Sequence, residues 1–274
     1  MKISGKEYRC TMPSSWAEIT RKDWLRIAHT LKNGSIYDPA ILSALLKRKN
    51  KPLSSKIWDK IPTEGLYPLY EQLDWLKDKY CISPPFEYIR IRGKRYYLPA
   101  ERLENIPVIE FAYVDMCMVM IDFFERKKQY DKIDEWIDRM CAYLCRPIDK
   151  RIKVKDPNIF KGDRREKFNP NIIDRRVPMF SKIDARYKLG VLWFVIGCKR
   201  YIHNHYKKYI FPPTHTEDGQ EIIGRQTSNK PEPQRWMNII RKLSGGKFGD
   251  IENTRYANLY DVLNELRDQM KNSR

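Results

Sequence analysis

Histidine and cysteine side chains near residue 200 are the first candidates for chemistry in this sequence. Cys198, His203 and His205 are residue types that bind zinc. The two histidines are two positions apart in a segment with helical periodicity, and such side chains point about 200° apart around a helix. They cannot share one ion, and no acidic residue nearby in the sequence completes a catalytic zinc site. We therefore predict no metal site.

The known motifs of catalysis are also missing from the sequence. There is no G-x-S-x-G motif for a nucleophilic serine. Gly245-Gly246-Lys247 is too short for a phosphate-binding loop, and Phe248 follows it where Ser or Thr would bind magnesium. Acidic groups such as Asp131, Asp134 and Glu135 arise by chance in a charged helical segment. We predict a chain that is not an enzyme and needs no cofactor.

Positive charge is the stronger signal. The chain carries 53 Lys and Arg against 35 Asp and Glu, a net charge of +18. About two-thirds of this excess lies between Arg146 and Phe211. Such a field favours an anionic partner, which could be nucleic acid, a lipid surface or an acidic protein face. The alternative is a hydrated surface that only keeps the protein in solution.

Two clusters of cations are candidates for binding an anion. One lies in the segment from Phe160 to Phe168 and shortly after it, and the other lies in a predicted hairpin tip around Arg90. Their members are Arg164, Arg165, Lys167, Arg175 and Arg176 in the first cluster and Arg92, Lys94 and Arg95 in the second. The cations could bind phosphates while Phe160 or Phe168 stacks on a base. We favour the alternative, in which the two Phe side chains anchor the loop to the core and Asp163 and Glu166 pair with arginines.

The elements that position these residues are mostly helical. Thr20 to Asp23 has the form of a capping box, and Asp38-Pro39 is typical of a helix start. Apolar periodicity predicts further helices. They are expected at Leu66–Lys79, Val108–Lys128, Ile133–Leu144, Ile183–Tyr209, Gln234–Leu243 and Thr254–Met270. Short strands are expected at residues 2–12 and in the hairpin at residues 86–98, whereas residues 146–184 and 214–233 are expected to be loops.

The predicted fold is mainly α, a helical bundle-like protein with a small β-hairpin element. Residues 1–99 are expected to form an N-terminal helical region with short strands. Residues 100–274 are expected to form a helical core with the basic loop at 146–184 and the C-terminal helices; a single domain is the alternative. The six cysteines form no CxxC motif and no signal segment opens the chain, so we predict reduced thiols and a cytoplasmic location. The longest apolar run, Leu189–Cys198, is too short for membrane insertion.

Four segments of this sequence carry a family resemblance. They are Met12–Thr20 before a Trp-bearing helix, Tyr97–Phe111, Leu144–Pro147 with the basic loop up to Asn169, and Phe248-Gly249 before a C-terminal helix. Together they resemble a tail-assembly or morphogenesis family of tailed phages and prophages from Bacteroidetes-type bacteria. The resemblance implies a protein that binds a phage structural protein, the tail tube or the tape measure, in the cytoplasm of the bacterial host. Association with the virion and the oligomeric state stay open.

Three functions follow in order of preference. The first is phage tail assembly or virion morphogenesis through protein–protein binding, with exposed Trp and Tyr side chains as anchors. The second is nucleic-acid binding through the basic residues 146–211. The third is an enzyme whose site the sequence does not reveal.

Overall fold

The computed structural model describes residues 10–33, 37–48, 61, 63–77, 81–152, 163–210 and 235–272, together with five two-residue strands outside these ranges. Eleven α-helices dominate this described part, which confirms the predicted mainly α class. They are α1 (Arg21–Asn33), α2 (Pro39–Leu45), α3 (Thr63–Glu71), α4 (Val108–Arg126), α5 (Tyr130–Leu144), α6 (Pro170–Asp174), α7 (Val177–Phe180), α8 (Ala185–Tyr206), α9 (Arg235–Leu243), α10 (Ile251–Tyr256) and α11 (Leu259–Asn272).

The strands form four separate antiparallel pairs. They are β1 (Lys2–Ile3) with β2 (Lys6–Glu7), β3 (Lys47–Arg48) with β4 (Lys51–Pro52), β5 (Tyr88–Ile91) with β6 (Lys94–Tyr97), and β7 (Thr214–His215) with β8 (Glu221–Ile222). The first and third pairs agree with the predicted strands. The second pair was not predicted, and the fourth lies within the segment 214–233 that was predicted to be a loop.

The first two helices begin as their sequence signals predict. Thr20 and Asp23 bond reciprocally: the Thr20 amide donates to Asp23 Oδ2 at 3.2 Å and the Asp23 amide donates to Thr20 Oγ1 at 3.3 Å. Asp38 accepts a hydrogen bond from the Ala40 amide at 2.7 Å and caps α2. Each cap satisfies amides that have no partner within the helix, so the two starts are fixed by local sequence.

The middle of the chain differs from the prediction of one long irregular loop at 146–184. Residues 170–180 contain α6 and α7, which have five and four residues, so neither helix is long enough to show an apolar period. A usable signal was present, because the side chain of Asn169 caps α6 and Pro170 follows it at the first helical position.

The C-terminal segment predicted as one helix at 254–270 forms two helices, α10 and α11, so that prediction was wrong. The break occurs because main-chain groups of Ala257 and Leu259 bond to Val108, at the start of α4, and to Ile106 just before it. The Val108 amide donates to the Ala257 carbonyl at 2.9 Å, and the Leu259 amide donates to the Ile106 carbonyl at 3.0 Å. Tertiary contacts have replaced the helical bonds.

One buried apolar cluster contains residues from both predicted regions, 1–99 and 100–274. Four tryptophans join them: Trp16 has its ring centroid 6.0 Å from Trp24, 5.1 Å from Trp75 and 5.9 Å from Trp193. The Trp24 indole also donates to a main-chain carbonyl of α8 at 2.8 Å. A Cβ at Gly190 would lie 2.9 Å from the Trp24 indole nitrogen, so a larger residue there would force α8 away from α1. Among the described helices, none has both the length and the apolar composition that a bilayer crossing requires.

Candidate cationic interface at the β5–β6 hairpin

The β5–β6 hairpin forms where the sequence predicts it, and its turn is unusual. Ile91 pairs with Lys94 across a two-residue turn. Both turn residues have positive φ, 48° for Arg92 and 79° for Gly93, which is typical of the type I′ turn that matches strand twist. Glycine adopts this conformation freely, whereas Arg92 has a Cβ and is strained there by about 1 kcal/mol.

One face of the hairpin carries alternating tyrosine and arginine side chains. Tyr88 lies opposite Tyr97 and Arg90 lies opposite Arg95, so all four share a face. The two tyrosine rings are 5.4 Å apart. The Arg95 guanidinium lies 4.8 Å from the Tyr88 ring, and that of Arg21 lies 5.4 Å from the same ring. These cation–π contacts hold the half-buried Tyr88 and the exposed Arg95 in place.

Six cations lie on the hairpin or beside it, and none has a carboxylate within ion-pair distance among the described residues. They are Arg21, Arg90, Arg92, Lys94, Arg95 and Lys182. Arg21 donates instead to the hydroxyl of Tyr187 at 2.5 Å. Arg21 and Lys182 were missed in the sequence because they are far from the hairpin along the chain. The Tyr-x-Arg spacing of β5 was a signal that could have identified the tyrosines.

The basic loop differs from the hairpin, because some of its arginines form ion pairs in the interior of the protein. Arg165 is 4% exposed. Its guanidinium donates to Glu110 Oε1 at 3.1 Å, to the Leu144 carbonyl at 2.7 Å and to Asp163 Oδ1 at 2.9 Å. A group enclosed in this way cannot reach an external phosphate, so Arg165 must be removed from the candidate anion-binding residues.

Glu110 is the centre of this buried ion cluster. Its second carboxylate oxygen accepts a hydrogen bond from Arg146 Nη2 at 2.5 Å. Burial raises the pKa of the Glu110 carboxyl, and the two guanidinium groups oppose that rise. Burial also opposes the charge on Arg165, but the carboxylates of Glu110 and Asp163 outweigh it and raise the pKa of that guanidinium. Opposite charges inside the core therefore hold the start and the middle of the basic loop, at Arg146 and Arg165, against α4.

Other residues of the first cluster are divided between the interior and the surface. Arg176 forms a bidentate ion pair with Glu166. Phe168 is 1% exposed and packs on two tyrosines of α4 and α5, which is the loop-anchoring role and leaves no ring face for a base. Lys167 is exposed above the Tyr256 ring at 3.8 Å. Arg164 is half-buried and Arg175 is exposed, whereas the prediction for Phe160 lies outside the described residues.

The side chains considered for a metal site point to separate neighbours. Cys198 is buried and its thiol donates to the Ile82 carbonyl at 3.5 Å. Burial, reinforced by a nearby lysine, lowers the pKa of His203 to about 4. His205 stacks on Tyr201 at 6.0 Å between ring centroids. Within the described part of the chain, no three His, Cys, Asp or Glu side chains are grouped closely enough to hold a metal ion.

A cleft of about 380 Å³ lies between the hairpin and the segment that joins α7 to α8. Arg90, Arg92 and Lys182 contribute positive charge to its walls, and Ile91 and Ile183 contribute apolar surface. The only carboxylate in its lining caps α8 and binds an arginine of that helix. The hairpin face and this cleft form one cationic surface, which we call the hairpin interface. Comparisons with protein-family models, curated proteins and solved structures find no match to this chain.

Proposed function

We propose that this chain takes part in phage tail assembly by binding a structural protein of the virion, the tail tube or the tape-measure protein, through the hairpin interface. The observation that carries the proposal is the pair of half-buried tyrosines, Tyr88 and Tyr97, beside exposed cations of β5 and β6 that form no ion pair among the described residues. Tyr and Arg supply most of the binding energy in many protein interfaces. Here the cation–π contacts already restrain the Tyr88 and Arg95 side chains, so they lose less freedom on binding.

The assembly setting comes from the resemblance stated above. Two of its four segments, Tyr97–Phe111 and Leu144–Asn169, contact each other behind the hairpin. Tyr97 exchanges two main-chain hydrogen bonds with Arg146, at 2.8 and 3.1 Å. Arg146 and Arg165 both bind Glu110. These two segments therefore pack together beside the β5–β6 hairpin.

Nucleic-acid binding is the second candidate, and the six unpaired cations favour it. An acidic protein surface fits better for one reason. Single-stranded nucleic acid binds aromatic side chains by stacking bases on their rings. The ring of Tyr88 is already contacted by Arg21 and Arg95, so a base would have to displace a guanidinium group. Carboxylates can bind the same guanidiniums in place, and the bidentate geometry is favourable.

The test is capture of co-expressed tail tube and tape-measure proteins from a related phage by the tagged chain, after nuclease treatment. We expect capture by the wild-type chain and by the control Arg241→Glu/Lys242→Glu, which reverses two exposed charges elsewhere. Capture should fall at least tenfold in Arg90→Glu/Arg95→Glu, because two attractive contacts become repulsive. Equal capture by both double variants would contradict the proposal. Material that is lost on nuclease treatment would support the nucleic-acid candidate instead.

A further inference from the structure

One edge of the hairpin has main-chain groups that no other strand in the described part of the chain uses. The Leu98 amide donates to the Glu87 carbonyl at 3.0 Å. Because bonded and non-bonded pairs alternate along an antiparallel ladder, Tyr88 and Arg90 direct their amides and carbonyls away from β6. Within the described residues, no main-chain hydrogen bond reaches these outward groups.

The opposite edge of the hairpin is closed. Tyr97 of β6 is bridged to Arg146, whose side chain is held by the buried Glu110. The hairpin is thus fixed to the core along β6 and open along β5. A strand with this arrangement is suited to pairing with another extended chain.

The cleft runs along this open edge. Four consecutive residues, 89–92, line one wall, and no residue of β6 contributes to the lining. A cleft over the face of the ribbon would instead be lined by alternate residues from both strands. The other wall is formed by Met179, Lys182, Ile183, Asp184 and Tyr187, and the Asp184 carboxylate already pairs with Arg186. The space of about 380 Å³ therefore lies where a third strand would place its side chains.

We propose that β5 accepts an extended, acidic segment of a partner protein as an added antiparallel or parallel strand. This inference rests on the proposed function and names the chemistry of the segment that binds. The segment bonds to the outward amide and carbonyl of Arg90, places an aliphatic side chain between Ile91 and Ile183, and presents carboxylates to Arg92 and Lys182. Main-chain bonds give affinity in this mode, and the pockets for alternate side chains give specificity.

The cleft lining favours a peptide over nucleic acid as the occupant. Ile91, Met179 and Ile183 are aliphatic and offer no hydrogen-bonding group to a base edge. A phosphate needs cations or amides on several sides, whereas the cations here lie on either side of an apolar surface. Alternating apolar and acidic side chains match that arrangement, because successive residues of a strand point to opposite sides.

The probe is a fluorescent peptide of about eight residues that alternates Val and Glu, a length that covers β5 and the turn. We expect saturable binding to the full chain. The same peptide with Lys in place of Glu should bind at least tenfold more weakly because its charges are repelled. A Val/Glu peptide with N-methyl groups on alternate residues should also bind at least tenfold more weakly, since it cannot complete the ladder. Hydrogen exchange of the Arg90 amide should slow on binding the unmodified peptide.

Two substitutions at residue 90 separate main-chain bonding from charge. Arg90→Pro removes the outward amide without removing a β5–β6 bond, and proline is tolerated at such an edge position. Arg90→Gln keeps the amide and removes the charge. We expect a loss of at least tenfold for Arg90→Pro and about threefold to fivefold for Arg90→Gln and for Lys182→Glu. Retained tryptophan fluorescence checks that each variant is folded.

Several results would overturn the added-strand inference. They are equal binding of the N-methylated and unmodified peptides, an Arg90 amide that exchanges at the same rate with and without peptide, or tight binding of a single-stranded oligonucleotide with no binding of either peptide. In that case the edge cations only prevent self-pairing of β5. Capture of a tail protein that depends on Arg95 but survives Arg90→Pro would leave the proposed function standing and remove the inference. Peptide binding at the edge without capture of a tail protein would leave the added-strand inference standing and remove the proposed role in tail assembly.

Discussion

Replacing Glu110 tests whether the buried ion cluster holds the fold together. Glu110→Gln keeps the shape of the side chain and removes its charge. The side chains of Glu110, Arg146 and Arg165 are each 2% exposed or less, so two guanidinium groups then share the remaining carboxylate of Asp163. That carboxylate lies 2.9 Å from Arg165 Nε but 3.7 Å from Arg146 Nη2. Arg146 loses the closer of its two carboxylates.

The expected cost follows from the charge that is left unpaired. Removing one partner of a buried ion pair typically destabilises a protein by about 3–5 kcal/mol. The low end applies here, because Asp163 and two main-chain carbonyls still bind the arginines. We expect a loss of about 3 kcal/mol in the free energy of unfolding. For a chain of this size, this lowers Tm by roughly 6–12 °C.

Urea denaturation followed by tryptophan fluorescence measures this loss. The control is Glu135→Gln, which removes a carboxylate that is 42% exposed and pairs with Lys132 and Arg139 on the surface of α5. It should cost less than about 1 kcal/mol. If Glu110→Gln were no more destabilising than this control, the idea that the cluster depends on its buried charge would be refuted.

Three further predictions concern the caps, the packing and the thiols. Asp23→Asn should cost about 1 kcal/mol near neutral pH. Burial raises the pKa of Asp23, but the hydrogen bonds to its carboxylate outweigh burial and lower that pKa overall. The stability advantage of the wild type over Asp23→Asn should therefore shrink as the pH falls below about 4. Urea denaturation at a series of pH values measures this change. Gly197→Ala should lower Tm strongly in a thermal scan, because a Cβ there would lie 2.4 Å from the Cys81 carbonyl oxygen. The control Gly246→Ala should have little effect, because the nearest atom to a Cβ there lies 3.6 Å away. Brief thiol alkylation of the native protein, read by mass spectrometry, should modify Cys10, which is half-buried. The other five cysteines are buried and should be modified only after unfolding. Equal labelling of all six in the native protein would contradict the packing.

Local sequence was enough to predict several elements of this fold. The capping box at Thr20, the Asp38-Pro39 start of α2 and the Arg92-Gly93 turn all act through groups that are close along the chain. Their hydrogen bonds need no distant partner, so the residue types alone indicate them. The long helices α4, α5 and α8 were predicted for a related reason, since each is long enough to show an apolar period.

Whether each cationic side chain is exposed or buried depended on the tertiary structure. Arg165 and Arg92 look equally available in the sequence, but one is buried against a carboxylate 55 residues away and the other lies at the tip of a hairpin. The same limit applies to Arg21 and Lys182, which join the hairpin interface only because α1 and the segment before α8 pack beside it. The sequence by itself determined the helical class, the hairpin and the excess of positive charge. The tertiary structure decided which of those charges face solvent, because burial and pairing depend on neighbours that are distant in the chain.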